Sequence, residues 1–259
     1  MKTYLDDILT RHRAAASEDT RSFADLFAVA TAMPPTRGFT EALRESDGLA
    51  VIAEIKRRSP SKGDLFADLD PALLAGQYRL GGAACLSVLT DVESVGGSPE
   101  DLGTARDACP LPVLRKDFTV SARDVLDARI MGADCVLLIA AALDDGELEE
   151  FHALAGDLGL DALVEVHDEP ELARALAVGA TLVGVNQRDL VTFEVDHERA
   201  TRMAAAFPAD VVSVAESGVR GPADAASLAA AGYDAVLVGE SLVTSGDPAA
   251  AVAALRSAG

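Results

Sequence analysis

The sequence predicts an α/β chain folded as a (β/α)8 barrel with an extra amino-terminal helical extension, and three observations carry that prediction. Short apolar runs alternate with helical patterns eight times, the signature of βα units around a parallel sheet. A weak internal repeat, in which a helix end, a glycine and an apolar strand follow one another, recurs as LGGAACLSV, MGADCVLLI, VGATLVGVN and AGYDAVLVG. Its glycines Gly82, Gly132, Gly179 and Gly232 stand about 50 residues apart, or two βα units each. The length, 259 residues, is that of one such barrel.

Taken in order, residues 1–48 read as a helical extension packed on the barrel, on the strength of periodic Tyr4, Leu5, Ile8 and Leu9. The expected strand cores are 51–55, 85–89, 113–115, 135–139, 162–166, 182–185, 211–215 and 235–238, and residues 1–259 are read as a single domain. A doubly wound open sheet is the competing architecture, but it announces a glycine-rich loop after its first strand, and here that strand runs into EIKRRSPS.

Composition narrows the function. The chain is 49% hydrophobic with no Trp and few aromatics, so the core is built of Ala, Val, Leu and Ile, which suits parallel strands buried on both faces. A formal net charge of -20 argues against nucleic acid, whose backbone is bound by clustered Lys and Arg, and reads as a solvated acidic surface. Cys85, Cys109 and Cys135 make no metal-ligand spacing and are expected in the core. The start MKTYLDDILTRHR is charged and amphipathic, and no apolar run reaches membrane-spanning length. A cytoplasmic, reduced protein is expected, a monomer or weak homo-oligomer with no membrane partner.

In this fold the chemistry sits at the carboxyl ends of the strands. Polar residues there are Glu54 and Lys56 after the first strand, Lys116 and Asp117 after the third, Glu165 in the fifth, and Asn186 and Arg188 after the sixth. The seventh and eighth end in Glu216 and Ser217 and in Gly239 to Ser241. Lysine is scarce, at Lys2, Lys56, Lys62 and Lys116 against 18 arginines, yet two lysines fall at strand ends. An ammonium can be tuned to give up a proton where a guanidinium cannot. Alternation turns Glu165 toward the barrel axis among apolar neighbours, where a carboxylate must pair with a cation or rise in pKa. His167 beside it is read as an exposed loop residue. In AESGV and VGESLV, Ser217, Gly218 and Gly239 let backbone amides approach an anion, at the loops that recurrently hold phosphate in this fold.

These segments, namely EIKRRSPSKG, SVLTD, LRKDF, GADCVLLI, LVEVHDE, GVNQRDL, AESGV and VLVGESLV, resemble the indole-3-glycerol phosphate synthase family from about residue 50 onward, in the same order. The resemblance implies closure of the indole ring on 1-(2-carboxyphenylamino)-1-deoxyribulose 5-phosphate with loss of carbon dioxide and water, with no metal and no cofactor. It implies Lys116 as general acid, Lys56 on the substrate carboxylate, and Glu165 as base or proton relay. Glu54, Asn186, Glu216 and Ser217 would position hydroxyls and lysines. Gly218, Gly239 and neighbouring amides at Glu240 and Ser241 would hold the phosphate with Arg188, and Ser59 would lie near the substrate anion. Phe118 and Leu137 would form the ring pocket, and the amino-terminal extension would help cover the substrate.

Two positions depart from the family pattern: Val95 stands where an aromatic is expected, and Glu240 occupies a place that is often small. Glu240 suits a phosphate if its carboxylate points outward. The alternative readings are a phosphoribosyl-type aldose–ketose isomerase, which would need a Cys or Asp base paired with an Asp acid, a Schiff-base aldolase using Lys116 as nucleophile, and a non-catalytic sugar-phosphate-binding relative.

Overall fold

Apolar runs buried on both faces become the eight strands. The computed structural model describes residues 4–59, 63–66, 68–189 and 191–259, and places these strands in one closed parallel barrel. They are β1 (Ala50–Ile55), β2 (Cys85–Leu89), β3 (Val113–Lys116), β4 (Cys135–Ile139), β5 (Asp161–Val166), β6 (Leu182–Asn186), β7 (Val212–Glu216) and β8 (Ala235–Val238). Each pairs with its sequence neighbours, and β8 returns to β1 with Ala50 opposite Ala235. Against the expected bounds, β3, β6 and β7 each run one residue further, ending in Lys116, Asn186 and Glu216. The pleat therefore fixes the direction of all three side chains.

Alternation along the strands divides the apolar residues into two cores. Ala50, Ile52, Cys85, Leu114, Cys135, Leu137, Leu163 and Leu182 fill the barrel interior. Val51, Ala53, Leu86, Val88, Val113, Val136, Val164 and Val183 face the helices. All three cysteines are buried free thiols. Many barrel helices start on a capping residue followed by proline, as at Asp70–Pro71, Ser98–Pro99 and Asp247–Pro248, where the side chain takes an orphan amide. The four repeat glycines all have positive φ where a helix turns into the next strand. Two repeat copies also carry an aspartate at the strand entrance. Asp134 accepts from the Val113 amide at 2.9 Å and Asp234 from the Ser213 amide at 2.8 Å, so each pins its strand to the preceding one.

The amino-terminal segment reaches both ends of the barrel. Its helices are α1 (Tyr4–Glu18), α2 (Phe23–Ala32) and α3 (Phe39–Arg44). At the floor, where the strands begin, Phe39 and Leu43 of α3 plug the interior core. Gly38 offers α3 no side-chain cap, and Asp161 from β5 substitutes, accepting from the amides of Phe39 and Thr40 at 2.8 and 3.0 Å. At the opposite end, α1 lies on the loops that follow the strands. Arg11 bonds Asp91 and Ser94 at 2.6 and 2.9 Å, Arg13 bonds Glu147 at 2.6 Å, and Tyr4 meets Phe193 edge-on. Among the described residues no helix is long and apolar enough to cross a membrane.

Candidate active site

At the carboxyl end of the barrel, beside the loops α1 crosses, opens a cavity of about 540 Å3. Glu54, Lys56, Lys116, Asn186, Glu216 and Ser217 line it, as do Arg188, Gly218, Gly239, Glu240 and Ser241. Glu165 stands directly behind, 1% exposed, and reaches the cavity through Lys116.

The centre is a chain of paired charges. Lys116 Nζ lies 3.1 Å from Glu165 Oε2 and 3.5 Å from Glu216 Oε2. Across the barrel, Lys56 Nζ is 2.6 Å from Glu54 Oε1. Asn186 joins Glu165 to Ser217: its Nδ2 donates to Glu165 Oε1 at 2.9 Å. Its Oδ1 accepts from Ser217 Oγ at 2.8 Å and from the Arg188 amide at 3.0 Å, which fixes the amide's orientation. Ser217 holds a left-handed backbone, φ 64°, a conformation a non-glycine residue rarely takes outside a constrained site.

Two glycines in this site are required by space. A Cβ on Gly184 of β6 would fall 2.1 Å from Glu216 Oε1, and one on Gly239 would fall 2.3 Å from Glu54 Oε1 and 3.1 Å from Lys56 Nζ. Each leaves the space that a carboxyl group occupies.

Environment separates the titrations. Burial works against the Lys116 ammonium, but Glu165, Glu216 and Glu54 outweigh it and hold the lysine charged, well above its ordinary range. Burial likewise opposes the charge of Glu165, yet Lys116, then His167 and the Asn186 hydrogen bond, keep it below the usual carboxylate range. Glu216 goes the other way: burial first, then the neighbouring charges of Glu165 and Glu54, push it up to about 8 despite Lys116. At neutral pH the pocket thus holds a charged ammonium, an ionised carboxylate and a protonated carboxyl, the separation that sorts acids from bases.

Of the sequence-predicted residues, some lie away from the cavity. Leu137 points into the barrel interior but belongs to the packed layer below it. Phe118 turns toward His12 of α1, with ring centroids 5.5 Å apart. The Ser59 side chain lies outside the described residues. Val95 is buried in the short helix after β2, Val92–Val95.

In the LRKDF segment the pleat sends Lys116 inward and Arg115 and Asp117 outward, where they form a buried ion pair at 2.9 Å that also takes in Thr90. His167 is a correction to the sequence reading. It is not an exposed loop residue: its side chain is 13% exposed, with Nδ1 3.0 Å from Glu171 and Nε2 3.7 Å from Glu165. His197 and Arg220 line the cavity although nothing in the sequence singled them out.

His12, Asp91 and Asp117 also gather within 4.8 Å where α1 meets the barrel. Their oxygens are already taken by Arg11, Arg115, Thr90 and backbone amides.

A closed (β/α)8 barrel with buried lysine–carboxylate pairs at the carboxyl ends of its strands defines an acid–base barrel enzyme. The family model for indole-3-glycerol phosphate synthase matches residues 5–255. The chain belongs to the indole-3-glycerol phosphate synthase family. It is 52% identical over 250 residues to the indole-3-glycerol phosphate synthase of Nocardioides sp., covering 96% of each chain. It is 51% identical over 259 residues to that of Mycobacterium avium, covering 99% of this chain and 95% of the relative. Among solved structures, a thiamine phosphate pyrophosphorylase from Pyrococcus furiosus superimposes with a TM-score of 0.61 at 16% identity, over 81% of this chain and 95% of that one. At that identity the likeness is one of fold.

Proposed function

We infer that this chain closes the indole ring of indole-3-glycerol phosphate from 1-(2-carboxyphenylamino)-1-deoxyribulose 5-phosphate. The observation that carries the reading is the Lys116 ammonium shared between Glu165 and Glu216 at the cavity wall. The ring carbon bearing the carboxylate attacks the ketose carbonyl carbon, and Lys116 gives its proton to the carbonyl oxygen as that bond forms. Carbon dioxide then leaves with its bonding electrons returning to the ring. Finally the new hydroxyl departs as water on a delivered proton, while a base removes a proton to complete the indole.

Lys56, paired with Glu54, meets the substrate carboxylate and supplies the proton to the departing hydroxyl. Glu165 takes the proton released in the dehydration, and Asn186, held by Ser217, keeps it aimed. Glu216, neutral at working pH, sets the position of Lys116 without competing for its charge. The phosphate lies against Ser217, Gly218 and the Gly239–Ser241 backbone, with Arg188 and Arg220 at the same end. The reading includes an enzyme of the cytoplasm working as a monomer or weak homo-oligomer, without metal or cofactor.

The test is indole fluorescence after mixing the purified protein with that substrate, with Lys116→Ala alongside. Product from the unaltered protein and not from the variant is expected. No product from a folded protein that binds the substrate would overturn the reading.

A further inference from the structure

His167 has no part in the chemistry above, yet it is built into the site. It follows Glu165 by two residues, so the pleat of β5 turns both side chains the same way. Glu171, in the first turn of the helix Glu169–Ala177, grips it twice. Glu171 Oε2 accepts from the His167 amide at 2.8 Å and lies 3.0 Å from Nδ1. With Nδ1 so occupied, Nε2 lies 3.7 Å from Glu165 Oε1 and is buried with no hydrogen-bond partner among the described residues. That separation is beyond a hydrogen bond, so the coupling in this geometry is between charges. The groups facing the imidazole are Glu165 from β5, Glu171 from the helix that follows it, and Arg199 from the helix Arg199–Met203, whose guanidinium donates to the Asn186 carbonyl at 2.9 Å.

Glu165 needs a second cation at one moment of the cycle. While Lys116 is charged, its ammonium balances Glu165. Once Lys116 has given its proton to the substrate, Glu165 is left buried with Asn186 as its one donor among the described residues, and burial favours its protonation before it can act. We propose that His167, oriented by Glu171, is a positioning residue that keeps the Glu165 carboxylate ionised and in place after Lys116 has discharged its proton. A small movement of Glu165 away from the neutral lysine brings Oε1 within hydrogen-bond reach of Nε2. The preference of the imidazole for its charged form fits this: burial opposes it, but the hydrogen bond it donates to Glu171 and the charges of Glu165 and Glu171 prevail over burial and Arg199.

The proposal rests on Glu165 acting as the base, and the experiment separates the two. His167→Gln, Glu171→Gln and Glu165→Gln are assayed for kcat and KM from about pH 5.5 to 9. In His167→Gln the acid limb of kcat moves up by about one pH unit, the effect of removing one opposite charge at this distance. Turnover is then lost more at the acid end of the range than near pH 8, by up to about tenfold on the acid limb itself, with KM changed by no more than about twofold. Glu171→Gln moves the limb the same way by less, and the double variant goes no further than His167→Gln.

An acid limb unmoved in both single variants overturns the proposal, as does a fall in kcat equal at every pH. If His167→Gln does not fold, the limb of Glu171→Gln decides. Full turnover in Glu165→Gln would instead sink the base assignment. Loss of turnover there, with an unmoved limb in the other two, would sink the His167 role alone.

Discussion

Glu216 lowers stability at neutral pH in a way that its replacement by glutamine should reveal. Its carboxyl ordinarily titrates at 4.5, and in the folded chain it is pushed up to about 8, by burial first and by Glu165 and Glu54 next. Between those values the unfolded chain has released the proton and the folded chain still holds it, so stability falls as pH rises. Each pH unit in that window is worth ~1.4 kcal/mol, so passing from pH 5.5 to pH 7 removes about 2 kcal/mol through this one group. Lys116, raised above its ordinary value, keeps its contribution throughout this window, and Glu165, lowered, has gained nearly all of its own by pH 5.5.

Glu216→Gln keeps the shape and an oxygen for Lys116 but has no proton to retain. Its Tm, measured relative to the unaltered protein, is therefore expected to be about 4–8 °C more favourable at pH 7 than at pH 5.5 for a chain of this size. Thermal unfolding followed by circular dichroism at both pH values, at one ionic strength, gives the comparison. The same Tm difference at both pH values would refute the reasoning, because it would mean that Glu216 titrates alike in the folded and unfolded chains.

Lys116→Ala is expected to lower kcat by roughly 10²–10⁴, the worth of a positioned acid, with a smaller change in substrate affinity measured by calorimetry. Gly184→Ala should fold, since its backbone is that of an ordinary strand, but its methyl group must displace Glu216. Turnover is expected to fall at least about tenfold while KM changes little, and unchanged kinetics would show the cradle to be irrelevant. Asp161→Ala removes the cap of α3 and should cost about 1–2 kcal/mol in urea unfolding, with kcat per folded molecule retained.

The barrel was legible because strands buried on both faces write themselves as apolar runs, and their ends fell within a residue of expectation. Lys116, Asn186 and Glu216 proved to be strand residues rather than loop residues, and this is why they converge so closely. His167 was misread although the signal was present: carried one step past β5, the same alternation that turned Glu165 inward turns His167 inward too. Leu137 shows what alternation omits, since it gives the side of a sheet but not the depth along the barrel axis. His197 and Arg220 arrive from loops whose paths no local pattern fixes. A Cβ on Gly218 would meet Val195 and His197 at 2.6 and 3.0 Å, so the loops after β6 and β7 touch at a point the sequence leaves unmarked. Gly184 announced a close approach by being a glycine in an apolar strand, but its partner, Glu216, lies 32 positions further on.

Because α3 packs against β1, β2 and β7 together, its seat exists only when the first and last parts of the ring have met. Docking of α3 therefore reports ring closure. The same segment carries α1 to the loops at the mouth, so one continuous stretch of chain ties the apolar floor of the closed ring to the end at which the cavity opens.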